Sequence, residues 1–276
     1  MVRLRSLQSK FIVAVGGVFL LSILVLSTSV LLSVNAQVRN QLQENVQHNL
    51  EGFYSLLRIY EQESLARAQR FAERDTLIEA MRSGGIEEMK KVTVPMLEES
   101  GMDYLVLTDA KGRTLFRAHL PNEIPAADDN ISNQTNISKA LQGESSVGVE
   151  EGRRVRLSVR AGAPVRFGGE VIGALSTGYV VSNNSNNSLV NEAKQITGGD
   201  FSVFLGQERV ACTVSGSDGK PLDTPLPKGA AGAASLSRDP GLGSNYLAAF
   251  RPLIGAKGTP IGMVSAAKPL TLTSGI

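Results

Sequence analysis

Residues 103–119 read DYLVLTDAKGRTLFRAH, and this stretch decides the fold class of the chain. Tyr104 to Thr108 is a β-branched and aromatic run, which is typical of a strand. Asp109 to Gly112 follows with the composition of a tight turn that ends on glycine. Thr114 to Ala118 then resumes the strand pattern. The stretch therefore predicts a β-hairpin.

Three further strands are predicted downstream of this hairpin. Residues 156–181 read RLSVRAGAPVRFGGEVIGALSTGYVV. Val155 to Ala161 and Val171 to Val181 have strand composition, and Gly168-Gly169 supplies the turn between them. Ser145 to Val149 is the third of these strands. Together with the hairpin they predict one antiparallel sheet.

One face of the strand at 155–161 is polar. Because side chains alternate across a strand, Ser158 and Arg160 share that face. Such a face either meets water or lines a wet pocket. The hairpin ends on two more cationic side chains, Arg117 and His119. We interpret these residues as parts of one anion-binding pocket; the alternatives are a surface ion pair for Arg117 and a loop cap for His119.

The segment from Leu120 to Gly143 separates the hairpin from the later strands. It is polar and rich in Asn, Asp, Ser and Pro, with a helical fragment around Ile137 to Leu141. A segment this long is usually a functional loop or a lid over a pocket. The element order predicts an α+β fold, with an antiparallel sheet and helices segregated to its faces.

The same sheet pattern returns near the end of the chain. APVRFGGEVIGALS at 163–176 and RPLIGAKGTPIGMVS at 251–265 share a proline, a glycine turn and the frame I-G-x-(L/V)-S. This repeat indicates two tandem copies of one sheet module. The second copy is predicted to have a helix around Leu189–Ile196 and strands at Phe201–Leu205, Arg209–Val214, Tyr246–Leu253 and Pro260–Lys268. Its hairpin has no basic counterpart of Arg117 and His119. Ser182–Ser188 reads as a linker, and Ser215–Gly243 as a weak loop.

The N-terminal stretch predicts a membrane anchor. Phe11 to Val34 is 24 residues long without a charge, or roughly 36 Å as a helix, which is enough to cross a hydrocarbon core. Arg3, Arg5 and Lys10 precede it, so the chain beyond it is expected outside the cytoplasm. A cleaved signal peptide is the alternative, but its apolar region is usually about 7 to 15 residues.

A long helix is predicted after the anchor. Gln37 to Arg82 has no proline, and apolar residues recur at steps of three and four. The apolar stripe of this helix comprises Val38, Leu42, Val46, Leu50, Phe53, Leu57 and Tyr60. Two roles are open for this stripe: packing on the rest of its own domain, and pairing with a second copy of the chain in a homodimer. The two roles are compatible. Ser83-Gly84-Gly85 ends this region, and Glu87 to Glu99 predicts a short second helix interrupted at Pro95.

Composition and motifs exclude several classes of protein. A net charge of +2 over 276 residues gives no support to a nucleic-acid partner. The single Cys212 and two histidines form no cluster with metal-ligand spacing. The chain contains no P-loop, nucleophile elbow, H-E-x-x-H or kinase motif. We therefore expect neither catalysis nor a metal or cofactor.

Taken in order, the motifs resemble the Cache family of extracytoplasmic sensor domains, which have a PAS-like sheet. They are T-D-x-x-G at 108–112, R-A-H at 117–119, R-x-x-x-P-V at 160–165 and G-x-V-I-G-x-L at 169–175. The layout is similar to that of double Cache receptors over roughly 37–270. It implies a cytoplasmic N-terminus at 1–10, a transmembrane helix at 11–34, the long helix at 35–82, a membrane-distal module at 83–182, a membrane-proximal module at 183–270, and a lead-in to a second transmembrane segment at 271–276.

The resemblance also implies site residues. In the citrate- and dicarboxylate-sensing members, carboxylates are held by an Arg and a His after the second strand and by an Arg before the P-V turn. Those roles fall on Arg117, His119 and Arg160, and a guanidinium suits a carboxylate because it donates two parallel hydrogen bonds. The further candidates come from the strand patterns: Ser158 on the polar face, and Thr108, Thr177 and Tyr179, for which core or sheet packing is the alternative. The chain has no Trp, so the amino-acid-binding signature of the family is absent.

The function that follows is ligand sensing by a transmembrane chemotaxis receptor of the bacterial inner membrane. A small anionic ligand is expected to bind the periplasmic distal module of a homodimer, which signals to a cytoplasmic domain outside this chain. The alternatives are the sensor of a histidine kinase or cyclic-dinucleotide enzyme, and an exported structural or partner-binding domain without a small ligand. If only one module binds, the first module is expected to do so.

Overall fold

The computed structural model describes residues 7–152, 155–182, 188–216, 220–230, 235–239, 241–242 and 246–270. It divides into two compact units, Met1–Asn45 and Val46–Ile276. The first unit consists, where described, of the N-terminal part of helix α1 (Leu7–Ala72). The side chains of residues 11–37 are exposed throughout. One helix in the described part of the chain is long and apolar enough to cross a membrane, and this stretch supplies its apolar window.

The second unit begins with the remainder of α1, whose apolar stripe is buried at Val46, Leu50, Phe53 and Leu57. The single helix predicted over 35–82 is divided in the structure. Helix α1 ends at Ala72, Arg74 is extended, and α2 follows at Asp75–Ser83. Asp75 and Thr76 are weak helix formers. The break allows Phe71, Ala72 and Leu77 to enter one apolar core.

Helix α3 (Ile86–Ser100) is continuous through Pro95, so the predicted interruption at Pro95 is wrong. Proline removes one backbone hydrogen bond and disfavours a helix interior. Met89 precedes it and Met96 and Leu97 follow it, and all three are buried in the same core. Packing on both sides of the proline keeps the helix in one piece, because tertiary contacts override local propensity.

The first sheet has five antiparallel strands in the order β2-β1-β5-β4-β3. The strands are β1 (Tyr104–Asp109), β2 (Thr114–Arg117), β3 (Ser146–Glu151), β4 (Leu157–Phe167) and β5 (Glu170–Ser182). Helix α4 (Thr135–Leu141) lies between β2 and β3 in the chain. One face of this sheet, with Leu105, Leu107 and Phe116, joins the core formed by α1, α2 and α3. The opposite face carries α4 and the segment before it.

The second sheet repeats this topology as β7-β6-β10-β9-β8, which confirms the predicted tandem modules. Its elements are α5 (Ser188–Thr197), β6 (Asp200–Leu205), β7 (Glu208–Cys212), β8 (Ser235–Arg238), β9 (Tyr246–Ile254) and β10 (Pro260–Pro269). The prediction of a weak loop at 215–243 was wrong in one respect, because this segment contains β8. This short strand pairs with β9 and completes the fifth position of the sheet. The predicted linker lies mainly at 183–187, outside the described residues.

The two modules contact each other within the second unit. The Ala256 N–H, in the turn between β9 and β10, donates to the Val149 carbonyl at 2.9 Å. Arg156 forms an ion pair with Glu208, and the Ser182 hydroxyl donates to the Val210 carbonyl. Backbone and side-chain bonds therefore both join the first sheet to the second module.

Candidate ligand-binding site

A cavity of about 650 Å³ lies between the first sheet and the segment that connects β2 to α4, on the face of the sheet that carries α4. Strands β1, β4 and β5 supply its floor, and the connecting segment, residues 118–134, supplies its cover. The residues that line it are Tyr104, Val106, Arg117, His119, Ala126, Asp128, Asp129, Asn130, Ile131, Asn133, Gln134, Glu151, Gly152, Val155, Ser158, Arg160 and Ser176.

Strand alternation selects the floor residues. Tyr104 and Val106 are two apart on β1, and Ser158 and Arg160 are two apart on β4, so each pair faces the same side. Ser176 of β5 lies directly opposite Val106 in the sheet register. The predicted polar face of the strand at 155–161 therefore lines a cavity rather than an open surface.

The cover is attached to the hairpin by its own backbone. The Thr114 N–H donates to the Asp129 carbonyl at 2.8 Å, and the Ile131 N–H donates to the Gly112 carbonyl at 2.9 Å. Seven residues of the polar segment predicted as a functional loop or lid line the cavity, between Ala126 and Gln134. Backbone hydrogen bonds thus attach the cover to the β1–β2 hairpin along one edge.

Helix α4 closes the end of the cover. The Glu150 carboxylate accepts the N–H groups of Thr135 and Asn136 at 3.2 and 3.0 Å. The Asn136 side-chain amide donates to the Ser176 hydroxyl at 2.7 Å. Glu150 is buried, and these two backbone N–H groups stabilise its charge.

Arg160 is the main buried cation on the floor. Only 6% of its surface is exposed. Its guanidinium donates to the Ser158 hydroxyl at 2.7 Å and to the Val155 carbonyl at 3.3 Å, and both acceptors are neutral. Among the described residues, no carboxylate oxygen lies within 4.0 Å of its nitrogens. A buried charge normally has a counter-charge, and the described protein does not supply one here.

Arg117 is buried to a similar extent but is differently partnered. It forms an ion pair with Asp129 of the cover and donates to the Thr114 hydroxyl at 3.4 Å. The alternative interpretation from the sequence, an ion pair between Arg117 and a carboxylate, matches this geometry, although the pair lies at a cavity wall. The two cavity arginines are therefore not equivalent.

His119 reaches the cavity because the strand ends before it. The Leu120 N–H donates to the Arg117 carbonyl at 3.1 Å, which forms a turn, and His119, two residues after Arg117, lines the same cavity. The imidazole contacts the Tyr104 ring edge-on, with ring centroids 6.0 Å apart. The Tyr104 hydroxyl donates to the Val159 carbonyl at 2.9 Å. Burial raises the pKa of this phenol, and nearby Arg160 acts in the opposite direction.

Four of the seven candidate residues from the sequence line this cavity: Arg117, His119, Arg160 and Ser158. The other three do not. Thr108 is buried beyond the cavity and contacts the Ala174 carbonyl at 3.5 Å. Thr177 donates to the Tyr104 carbonyl at 2.6 Å, and the Tyr179 ring stacks on Tyr60 of α1 with centroids 4.3 Å apart. Because side chains alternate, Ser176 faces the cavity and its neighbour Thr177 does not.

Sequence reasoning missed Asp129, Tyr104 and Ser176. Tyr104 and Ser176 could have been found from strand alternation combined with the register of β1 and β5. Asp129 lies in a segment without periodicity, and nothing in the sequence distinguishes it from Asp128. Within the described ranges, no group of three or more His, Cys, Asp or Glu side chains is arranged to hold a metal ion.

The second module has a different interior at the equivalent positions. Gly173 and Gly262 occupy the same place in the two sheets, opposite the ends of β1 and β6. Counting along the paired strands places Ala248 at the position of Arg160 and Cys212 at that of Arg117. Cys212 and Ala248 belong to an apolar cluster with Phe204, Leu226, Ala230, Leu242, Phe250, Met263 and Ala267. At these two positions, small side chains in an apolar cluster thus replace the cavity cations.

Fold and cavity together define a tandem PAS-like sensory domain. The dCache_3 family, described as the double sensory domain of two-component sensor kinases, matches residues 39–271. The chain belongs to this family, and it is a double Cache extracytoplasmic sensor domain of a membrane receptor. No curated protein matches the chain.

Solved structures show the same fold at low sequence identity. The V. cholerae histidine kinase DctB sensor domain is 15% identical, with a TM-score of 0.54, over 85% of this chain and 97% of that one. The Vibrio cholerae LuxQ periplasmic domain is 11% identical, with a TM-score of 0.53, over 81% and 99%. The ligand-binding domain of the Campylobacter jejuni chemoreceptor Tlp3, in complex with 4-methylisoleucine, is 11% identical, with a TM-score of 0.54, over 88% and 96%.

Proposed function

We propose that this chain is the sensory region of a membrane-spanning receptor and that the cavity of its first module binds a small carboxylate. The observation that carries the proposal is Arg160, a buried cation at the cavity floor without a carboxylate partner among the described residues. A ligand carboxylate would supply the missing charge. Charge-assisted hydrogen bonds in a desolvated site are roughly twice as strong as neutral ones.

The cavity offers a consistent set of contacts for such a ligand. The guanidinium of Arg160 presents a planar fork that matches a carboxylate. Ser158 lies beside it on the same strand, and His119 and Tyr104 also line the cavity. The second module, with Ala248 and Cys212 at the equivalent positions, has no comparable cation there, which supports binding in the first module.

Strand β5 provides a route from the cavity to the rest of the receptor. Ser176 faces the cavity, and three residues later Tyr179 stacks on Tyr60 of α1. The Tyr60 hydroxyl in turn donates to Glu192 of α5 in the second module. A ligand that favours one position of β5 would therefore bias α1 and the second module, by its differential affinity for the two arrangements.

The membrane arrangement follows from the apolar N-terminal helix. With 11–34 as an uncleaved anchor, the modules lie outside the cytoplasm, with 83–182 distal and 183–270 proximal to the membrane. A homodimer through the exposed face of the long helix belongs to the same proposal. Crosslinking of single-cysteine variants along 47–62 in membranes tests it, and the absence of any crosslink would contradict the dimer.

For the output, the family description favours a two-component sensor kinase. The chemotaxis receptor expected from the sequence is the second candidate, and the fold shared with the chemoreceptor Tlp3 supports it. Autophosphorylation of the full-length receptor with radiolabelled ATP separates the two. Incorporation of phosphate supports the kinase, and methylation of its glutamates without phosphate incorporation supports the chemoreceptor.

Isothermal titration calorimetry of the full chain in detergent micelles tests the carboxylate site. The ligands are a panel of monocarboxylates, dicarboxylates and amino acids. We expect at least one acid to bind and Arg160→Ala to abolish the binding. The matched control is Arg166→Ala, which removes an exposed arginine from the same strand. If no acid binds, or if both variants bind equally well, the proposal is wrong.

A further inference from the structure

We infer that Asp129 makes the first-module site selective for monocarboxylates, because it already neutralises one of the two cavity arginines. The inference rests on the carboxylate site proposed above and goes beyond it. The family resemblance implied that Arg117, His119 and Arg160 hold carboxylates together. The structure instead gives Arg117 an internal carboxylate and leaves Arg160 for the ligand.

The Arg117–Asp129 pair is a fixed part of the wall. The two side chains are only 9% and 22% exposed. The Asp129 backbone is held on both sides, since its N–H donates to the Ala126 carbonyl and its carbonyl accepts the Thr114 N–H, at 2.9 and 2.8 Å. Removing one partner of such a pair leaves an uncompensated charge, which is strongly unfavourable. A ligand carboxylate therefore does not readily displace Asp129.

Among the described residues, the side chains around the cavity provide one arginine for a ligand carboxylate. Glu150 is buried nearby, but both of its oxygens accept N–H groups of α4. Asp128 and Glu151 line the cavity with exposed side chains, so their charges are screened by solvent, and neither offers a cation to a second carboxylate. Arg160 is thus the described arginine of the cavity that has no internal carboxylate, so the second carboxylate of a dicarboxylate would find no second available arginine among the described residues.

The remainder of the cavity suits an uncharged body. Val106, Ala126, Ile131 and Val155 contribute apolar surface to its lining. A volume of about 650 Å³ is larger than a bare carboxylate requires and falls in the usual range for small-molecule sites. The ligand class is therefore a monocarboxylate with an uncharged, largely apolar body.

The experiment compares acids of equal chain length that differ by one carboxylate: butyrate with succinate, valerate with glutarate, and hexanoate with adipate. Affinities are measured by calorimetry on the full chain in detergent, for the wild type and for Asp129→Asn. We expect the wild type to bind each monocarboxylate about tenfold or more tightly than the dicarboxylate of equal length. The reason is that the second carboxylate loses hydrogen bonds to water and gains no charge-assisted hydrogen bond to an arginine. Asp129→Asn frees Arg117 and should reduce that ratio by about tenfold or more.

The matched control is Asp128→Asn, which removes the same formal charge from the same cavity. Asp128 is exposed, so this variant should keep the wild-type ratio within about threefold, because exposed charges are screened. An equal shift in both variants would show that net charge, and not the pairing with Arg117, sets selectivity, and would overturn the inference.

The remaining outcomes separate the two proposals. A wild type that prefers dicarboxylates overturns the inference while the carboxylate site stands, provided that Arg160→Ala abolishes binding. A wild type that binds no acid overturns both. Thermal melts of each variant establish folding, and if Asp129→Asn does not fold, Asp129→Ser replaces it. The wild-type preference is decisive even if neither variant folds.

Discussion

Arg160 and Ala248 occupy the same register position in two copies of one five-stranded sheet. In the first copy the position faces a cavity with a buried guanidinium, and in the second it lies in an apolar cluster. The fold therefore accepts either a cation or a methyl group at this point. A cation that the fold does not require is a candidate for function, and it has a cost in the unliganded protein.

That cost leads to the first prediction. Arg160→Met replaces a buried charge, which has no carboxylate partner in the described part of the chain, by an apolar side chain of similar length. It should therefore raise the free energy of unfolding of the unliganded protein by about 1 kcal/mol or more. The same variant should lose carboxylate binding. Chemical denaturation followed by far-UV circular dichroism measures the change. Arg166→Met, exposed on the same strand, should change it by less than about 0.5 kcal/mol. A destabilised Arg160→Met would mean that the protein itself compensates the charge.

The second module contains the opposite case, a buried arginine that is paired with a buried carboxylate. Arg209 donates to both oxygens of Asp239 at 3.0 Å, and neither side chain is exposed. Asp239→Asn leaves Arg209 without a counter-charge and should cost about 3 to 5 kcal/mol of unfolding free energy. The comparison is Glu51→Gln, which breaks the exposed pair with Arg251 and should cost at most about 1 kcal/mol. Equal effects of the two substitutions in denaturant would contradict the assignment.

The contact between the modules depends on a glycine. A Cβ at Gly148 would lie 2.7 Å from the Cα and Cβ of Ala256, in the turn whose N–H bonds to Val149. Gly148→Ala should therefore cost about 1 to 3 kcal/mol, as overpacking does. Ser146→Ala, two residues earlier on the same strand, is the control and should be close to neutral. Hydrogen exchange should accelerate at Ala256 in the glycine variant, and unchanged exchange there would argue against the contact.

Asp103 gives a pH-dependent prediction. Burial raises its pKa above the ordinary value of 3.8, although the Val180 N–H at 2.6 Å acts in the opposite direction. Well below pH 3.8 the carboxyl is protonated in both the folded and the unfolded state and contributes no pH dependence. As the pH rises from there through the folded pKa, the unfolded state releases its proton first, so the native protein loses stability relative to Asp103→Asn.

The measurement is the difference in melting temperature between Asp103→Asn and the wild type from pH 3 to pH 7. We expect this difference to grow in favour of the variant as the pH rises and then to level off. Asp75→Asn, an exposed aspartate in the first turn of α2, serves as the control. A difference that does not change with pH, or that favours the wild type at pH 7, would contradict the raised pKa.

Local patterns in the sequence predicted much of the fold because those elements depend on near neighbours. The hairpin at 103–119, the two strands around Gly168-Gly169 and the tandem repeat all have signals within a few residues. The break after Ala72 and the continuity through Pro95 do not, because both are decided by contacts with a core assembled from α1, α2, α3 and the sheet. Strand β8 was missed for a related reason, since its place is set by pairing with β9.

The candidate site was predictable where strand alternation or the family resemblance sufficed. Ser158 and Arg160 were placed on one face by their spacing, and both line the cavity. Thr177 was assigned to the cavity without knowledge of the register between β1 and β5, which directs Ser176 there instead. The pairing of Arg117 with Asp129 joins a strand to a segment without periodicity, and only the three-dimensional structure reveals it.

Strand β5 has a mechanical consequence. Its Ser176 is part of the cavity wall, and its Tyr179 ring stacks on Tyr60 of the long helix. The cavity wall and the residue that contacts the helix thus belong to one continuous strand, on opposite faces of the sheet. In the proposed mechanism, a ligand would not have to close the cavity or move the cover to signal. A displacement of this wall would act directly on the contact with the helix.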